Sequence, residues 1–220
     1  MSAGGVTAIV LAGGRSTRFG GDKLAADVDG RPLLHLAIAA VAGVADEVVV
    51  VIGAEAAEPA LPVEAPLPVR VARDVVPDQG PLAGLAAGLA AAAHPLAILV
   101  GGDQPSLRGD VLRLLLERLG HVLAEPGAAE PALAEPALAE PVPDVAILAD
   151  GDRVWPFPVA VRVATVRPAA EAALRGPDLR LFMLYRRLRI ARVAEARWRA
   201  LDPEAASLRD VDTPRDLPST

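Results

Sequence analysis

The chain has 220 residues and a formal net charge of −6, a length that fits one α/β domain, since a single core grows to roughly 250 residues before chains split. Apolar residues make up 52% of it, yet it holds only two Trp, one Tyr and three Phe, so small side chains supply the apolarity and suit helices packed closely on a sheet. The acidic balance argues against a nucleic-acid partner, and the absence of cysteine excludes disulfides and thiolate chemistry.

His35, His94 and His121 are scattered without metal-ligand spacing, which argues against a zinc site. No apolar run approaches the ~20 residues of a membrane span, and the N-terminus lacks the layout of a signal peptide. The expectation is a soluble, cytoplasmic protein with no membrane partner.

The first predicted element is a buried strand over residues 6–12, which runs directly into "LAGGRSTRFGGDKL" at residues 11–24. A helix follows over residues 32–41, with Pro32 in its first turn. Residues 47–52 (EVVVVI) form a β-branched run without polar alternation, as in a strand covered on both faces. A short strand is expected at 69–72, a small-residue helix at 82–93, and a strand at 96–100 that closes on Gly101-Gly102-Asp103. Further on come a helix at 110–119, strands at 145–148 and 159–163, and helices at 168–174 and 179–188.

This alternation predicts a three-layer, Rossmann-like α/β fold with a mostly parallel central sheet. Residues 124–143, which repeat "AEPALAEPALAEP", stand apart as a Pro-rich, low-complexity insertion in a single domain spanning 1–220. Ligands of parallel sheets bind at the carboxyl ends of the strands. That rule places Gly13-Gly14, Asp74 and Asp103 on one edge.

The loop at 11–24 matches neither the P-loop nor the Rossmann glycine pattern. Its glycines let backbone amides approach anionic oxygens, and Arg15, Arg18 and Lys23 add fixed positive charge in an acidic protein. A solvated basic loop is the alternative. Asp103 reads either as a turn or cap residue or as a carboxylate for a hard Mg²⁺ ion that also takes substrate phosphates. Asp210 and Asp212 read as caps for a short helix at 213–217 or as a second ligand and an acceptor contact. The basic run of Arg186, Arg187, Arg189 and Arg192 reads as a solvated face or as a contact to a phosphorylated acceptor.

"LAGGRSTRFGGDK" resembles the first-loop signature of the molybdopterin nucleotidyltransferases, a family of guanylyl and cytidylyl transferases. "RDVVPDQGPLAGLAAGL", "LAILVGGDQPSL" and "LRDVDTPRDL" resemble its later segments in the same order, so the likeness covers nearly the whole chain apart from the insertion.

The resemblance implies a Mg²⁺-dependent transfer of GMP from GTP to a phosphate-bearing molybdopterin, with release of pyrophosphate. It implies nucleotide contacts from Leu11, Ala12, Gly13, Gly14, Arg18 and Lys23, and from Asp74, Gly80, Pro81 and Leu82 beside the purine. Arg18, Lys23 and Asp103 take the catalytic roles, and Asp103 with Asp210 the metal. Trp155 and Pro156 fall in a segment that resembles the lining of the acceptor cleft, with core packing as the alternative for Trp155. A molybdoenzyme or cofactor-delivery protein is an implied partner.

The "LAGG" and "GPLAG" segments favour guanine. Val51-Ile52-Gly53, where the guanine enzymes commonly carry Asn, and Asp210 and Asp212 in the terminal motif weigh against it. CTP-dependent transfer, another small acceptor and a catalytically silent nucleotide-binding escort remain open alternatives.

Overall fold

A computed structural model describes residues 5–13, 19–74, 80–120 and 142–217. Gly14, Arg15, Arg18, His121 and nearly all of the Pro-rich insertion lie outside the described residues.

The sheet grows from the apolar runs. Strand β1 (Val6–Leu11) pairs in parallel with β4 (Glu47–Gly53) on one side and β6 (Leu96–Gly101) on the other, and β5 (Val69–Asp74) extends the β4 edge, also in parallel. Beyond β6 come β8 (Arg153–Arg162), β7 (Val145–Asp150) and β9 (Ile190–Val193), giving the order β5-β4-β1-β6-β8-β7-β9. Strand β8 runs antiparallel to both neighbours, while β7 and β9 pair in parallel. A two-stranded ribbon, β2 (Asp27–Val28) with β3 (Arg31–Pro32), stands outside this sheet.

Helices cover both faces. On one lie α1 (Leu33–Ala42), α3 (Gly109–Arg118) and α6 (Glu195–Arg199), packed on Val10, Val50, Ile98 and Ala146. On the other lie α2 (Gly80–Ala91), α4 (Val163–Leu174) and α5 (Leu181–Tyr185), packed on Ile9, Val49, Leu99 and Val159. Alternate residues of each central strand thus feed opposite layers, which explains their unbroken apolar sequence. The mixed α/β architecture with a mostly parallel central sheet is borne out. No helix among the described residues is long and apolar enough to cross a membrane.

Several elements differ from expectation: Pro32 ends β3 and α1 starts only at Leu33, and α5 covers only Leu181–Tyr185 of the helix expected at 179–188. Strand β8 begins at Arg153, six residues before the strand predicted at 159, because Arg153 and Val154 pair with Asp150 and Ala149 of β7 beyond a register irregularity that takes up Trp155 to Pro158. Helix α4 starts at Val163, so Pro168 falls inside it and not at its start. Strand β9 was not expected. Its neighbour Arg189 is the exception in the basic run, since its guanidinium and backbone N–H bond the buried Asp144 carboxylate at the start of β7.

Helix α2 lies close on β1. A methyl at Gly88 would stand 2.4 Å from Cγ2 of the fully buried Ile9, and one at Gly84 would stand 2.9 Å from Leu11. A methyl at Gly109, also helical, meets nothing within 4 Å. Alanine adds up to about 1 kcal/mol of helix propensity at either site, but overpacking against a stiff β-branched neighbour costs about 1–3 kcal/mol. Gly88→Ala is therefore expected to lower the urea midpoint, and Gly109→Ala to leave it unchanged or raise it.

Candidate functional site

The site begins where β1, β4 and β6 end. Ala12 N–H donates to the Val51 carbonyl at 2.8 Å and Gly102 N–H to the Leu11 carbonyl at 2.9 Å, so pairing continues past the strands. A Cβ at Gly102 would approach the Leu11 carbonyl to 3.0 Å and crowd Leu34, so a residue without a side chain serves this crossing. The result is a rim where residues 11–13 lie against 101–103.

Lys23 opens a 3₁₀ turn, Lys23–Ala25, capped by Asp22, whose carboxylate accepts from Leu24 N–H at 3.1 Å. The Leu33 N–H of α1 donates to the Ala26 carbonyl, fixing the turn from behind. Lys23 Nζ donates to the Asp103 carboxylate at 2.6 Å and lies 3.8 Å from that of Asp212. The lysine side chain is only 14% exposed, so its charge is directed into the site and not into bulk water.

The C-terminal segment arrives by a polar seam. Val211 N–H donates to the Asp103 carbonyl at 3.0 Å. Gln104, almost fully buried, accepts from Gly101 N–H at 2.8 Å and donates to the Ser207 carbonyl at 3.2 Å. The buried Ser207 hydroxyl accepts from Arg108 N–H, and the buried Asp202 carboxylate accepts from the N–H groups of Ala206 and Ser207. Downstream, Thr213 and Asp216 form a capping box on the turn Pro214–Asp216. This seam carries Asp210 and Asp212 to Asp103.

Three carboxylates therefore face one ammonium. Burial raises the Asp210 pKa to about 6, with added repulsion from Asp103 and Asp212, while Lys23 and a Gln104 hydrogen bond act in the opposite direction. Hard oxygen donors of this kind suit Mg²⁺ that completes its shell with water and substrate phosphates. Among the described residues no group of three or more His, Asp or Glu is arranged to hold an ion unaided.

Beside Lys23 and Asp103 opens a cavity of about 400 Å³, walled also by Leu11, Ala12, Gly13, Ile52, Glu58 and Pro59. Five expected site residues thus meet here: Leu11, Ala12, Gly13, Lys23 and Asp103. Asp74 ends β5 and borders a different groove, along Ala83, Ala86 and Ala87 of α2. Gly80 and Pro81 are exposed at the start of α2, and the Leu82 side chain is wholly buried in the core, leaving only its backbone for a ligand. Gly14 and Arg18 belong to the undescribed loop.

Trp155 is half-buried against the α1/α3 core, with the Arg153 guanidinium 3.7 Å from its ring centroid. Glu58, Gln104, Asp202 and Ser207 were missed by sequence reasoning. In the sequence "DPEAAS" looks like ordinary capped surface, and nothing in "AEAAEP" marks a cavity wall.

Residues 8–188 match the family described as MobA-like NTP transferase domain. A relative from Pelotomaculum thermopropionicum, described as a probable molybdenum cofactor guanylyltransferase, is 30% identical over 96% of this chain and 89% of its own. One from Natronomonas pharaonis, described in the same words, is 37% identical, but that match spans about half of each protein, 51% and 56%. The crystal structure of molybdopterin-guanine dinucleotide biosynthesis protein A from Archaeoglobus fulgidus superposes with a TM-score of 0.68 at 18% identity, covering 96% of this chain and 94% of that one. The last likeness is one of fold.

Because the Asp210 pKa is raised, the folded state holds that proton more tightly than the unfolded chain does. Its penalty is absent below about pH 4 and fully present above about pH 6. In chelator-treated protein, Asp210→Asn is expected to raise the unfolding temperature at pH 8 and leave it unchanged near pH 4, as read by thermal unfolding across that range.

Proposed function

Because the chain belongs to the MobA-like NTP transferase domain family and is a nucleotidyltransferase, we propose that it transfers GMP from GTP to a phosphate-bearing molybdopterin. The choice of GTP and of this acceptor is supported by the full-length relative described as a guanylyltransferase. The observation that carries the chemistry is Lys23, 2.6 Å from Asp103 in the cavity beside residues 11–13.

In the reaction, an acceptor phosphate oxygen forms a bond to the α-phosphorus of GTP, the bond from that phosphorus to the bridging α,β oxygen breaks, and pyrophosphate departs with the bond pair. No protein nucleophile is required, so the chain's task is alignment and charge compensation. Mg²⁺, when bound, would neutralise charge on the transferring phosphate and act as a Lewis acid. Asp103 and Asp210 would hold it.

Lys23 offers its ammonium to the triphosphate, and Asp103 keeps that side chain aimed into the cavity. Gly13 brings its backbone close to the nucleotide, and the motif that Gly14 and Arg18 share with the family assigns them contacts to the phosphates. Asp74 and the Gly80-Pro81 turn belong to the nucleotide side, a reading supported by the packing of Gly84, one turn further along α2, on Leu11.

Pyrophosphate release with molybdopterin and GTP tests enzyme, nucleotide and acceptor together. Wild type is expected to release it with GTP and not with CTP, and to be stabilised thermally by GTP with Mg²⁺. Stabilisation by CTP alone would overturn the guanine assignment. Lys23→Ala and Asp103→Ala should each lower kcat by about 100-fold or more, the scale for losing one electrostatic contact to the reacting group, with unfolding temperatures within a few degrees of wild type. Near-normal release by either variant would remove this mechanism.

A further inference from the structure

Besides the two cores on the faces of the sheet there is a small third one beside the site. Val28 of β2, Leu33 at the head of α1 and Val211 of the C-terminal segment form it, all buried, and the half-buried Phe19, Leu36 and Leu217 pack against it. Four stretches of chain thus meet: the end of the first loop at Phe19, the β2–β3 ribbon, the head of α1 and the C-terminal segment. The ribbon turns through Asp29 and Gly30, both at positive φ, and the Asp27 carboxylate accepts from Gly30 N–H. Val28 is therefore presented by a tight hairpin that closes locally.

Val211 stands between Asp210 and Asp212. It is 1% exposed, whereas the Asp212 side chain is 59% exposed and lies 3.8 Å from Lys23 Nζ. The apolar side chain is turned into the cluster, and the carboxylate beside it is turned out toward the lysine.

The contacts close a ring. Val211 N–H donates to the Asp103 carbonyl, and the Asp103 carboxylate accepts from Lys23 Nζ. Ala26 N–H donates to the Lys23 carbonyl at 3.1 Å, and Leu33 N–H to the Ala26 carbonyl at 2.9 Å. Leu33 and Val211 then share the cluster. Lysine has a long flexible stem and no covalent reason to keep its ammonium on one carboxylate. A closed ring through a packed interior supplies that reason, because a shift at one point must be matched at the others.

We propose that Val211 is a positioning residue: seated in the cluster with Val28 and Leu33, its side chain locks the C-terminal segment to the turn that carries Lys23. The Lys23 side and the C-terminal side of the site then form as one unit, and the coupling between them is reciprocal. This role rests on the reading of Lys23 as a partner of the triphosphate and holds for either base.

Amide hydrogen exchange, pyrophosphate release and unfolding temperature are measured for wild type, Val211→Ala, Phe19→Ala, Leu217→Ala and the Phe19→Ala, Val211→Ala double variant. Val193→Ala is the control, an equally buried valine of β9 in a different core. In Val211→Ala the amides of Ala26 and Leu33, neither of which it hydrogen-bonds, should exchange about tenfold faster or more, the scale of two buried methyl groups lost from a local opening. In Phe19→Ala the Val211 amide should respond in the same way. Both should lower kcat about tenfold with whichever nucleotide wild type uses, within the range that a misplacement on the order of 1 Å costs. The double variant should add little to the larger single effect. Val193→Ala should lower the unfolding temperature and leave these amides and kcat unchanged. Leu217→Ala, at a half-buried position, should show the same exchange pattern more weakly and carries the test if Val211→Ala does not fold.

Unchanged exchange at Ala26 and Leu33 in both C-terminal variants, or changes equal to those of the control, overturns the proposal. Near-normal release by Lys23→Ala overturns the reading of Lys23 alone, since the exchange rates report the ring without reference to turnover.

Discussion

The hydrogen bond from Val211 N–H to the Asp103 carbonyl joins the two parts of the chain that must meet for the site to exist. Asp103 ends the rim built on β6, and Asp210 and Asp212 arrive from the other end of the sequence. A single backbone bond would not hold them. It is held because Ser207, Gln104 and Asp202 form a buried polar seam in which donors of one segment meet acceptors of the other. A seam of this kind is demanding, since each buried polar group left without its partner costs about 1–3 kcal/mol. It is also specific: a shift of one residue would leave several of them unpaired at once.

What the seam brings together is uncomfortable in isolation. Three carboxylates share one lysine, and Asp210 responds with a raised affinity for protons. The rest of the molecule compensates elsewhere with well-matched burial, including Glu47. That carboxylate lies on the β4 side of the sheet among the Thr7 hydroxyl, the Arg70 guanidinium and Ala93 N–H. Those bonds outweigh the burial that opposes them and hold its pKa below the usual range. Two acidic sites in one protein thus shift in opposite directions: at Glu47 hydrogen bonds outweigh burial, while at Asp210 burial dominates and the neighbouring carboxylates add to it.

The apolar code announced the sheet plainly. Residues 47–52 and 96–100 are continuous β-branched or aliphatic runs that only strands covered on both faces explain, and β4 and β6 lie within a residue of where those runs place them. Strand β9 and the early start of β8 were not legible. Ile190–Val193 is short and interrupted by arginine, and Trp155 to Pro158 carries two prolines that speak against a strand until an edge or irregularity accommodates them.

At the site, the paired Lys23 and Asp103 could be identified from the motifs. The residues that position them could not. Asp202 and Ser207 acquire meaning only from a backbone that turns back on itself.

Strand β8 has a consequence of its own. It is antiparallel to β6, and β7 runs with β6, so the turn between Asp150 and Arg153 emerges on the same rim as Asp103. Everywhere else along that rim the chain leaves a strand and must travel to the opposite end before it can return. Here it leaves and re-enters in place, which makes this hairpin tip a modular overhang. It can be lengthened or exchanged to recontour one flank of the site, while the nucleotide-facing strands keep their register.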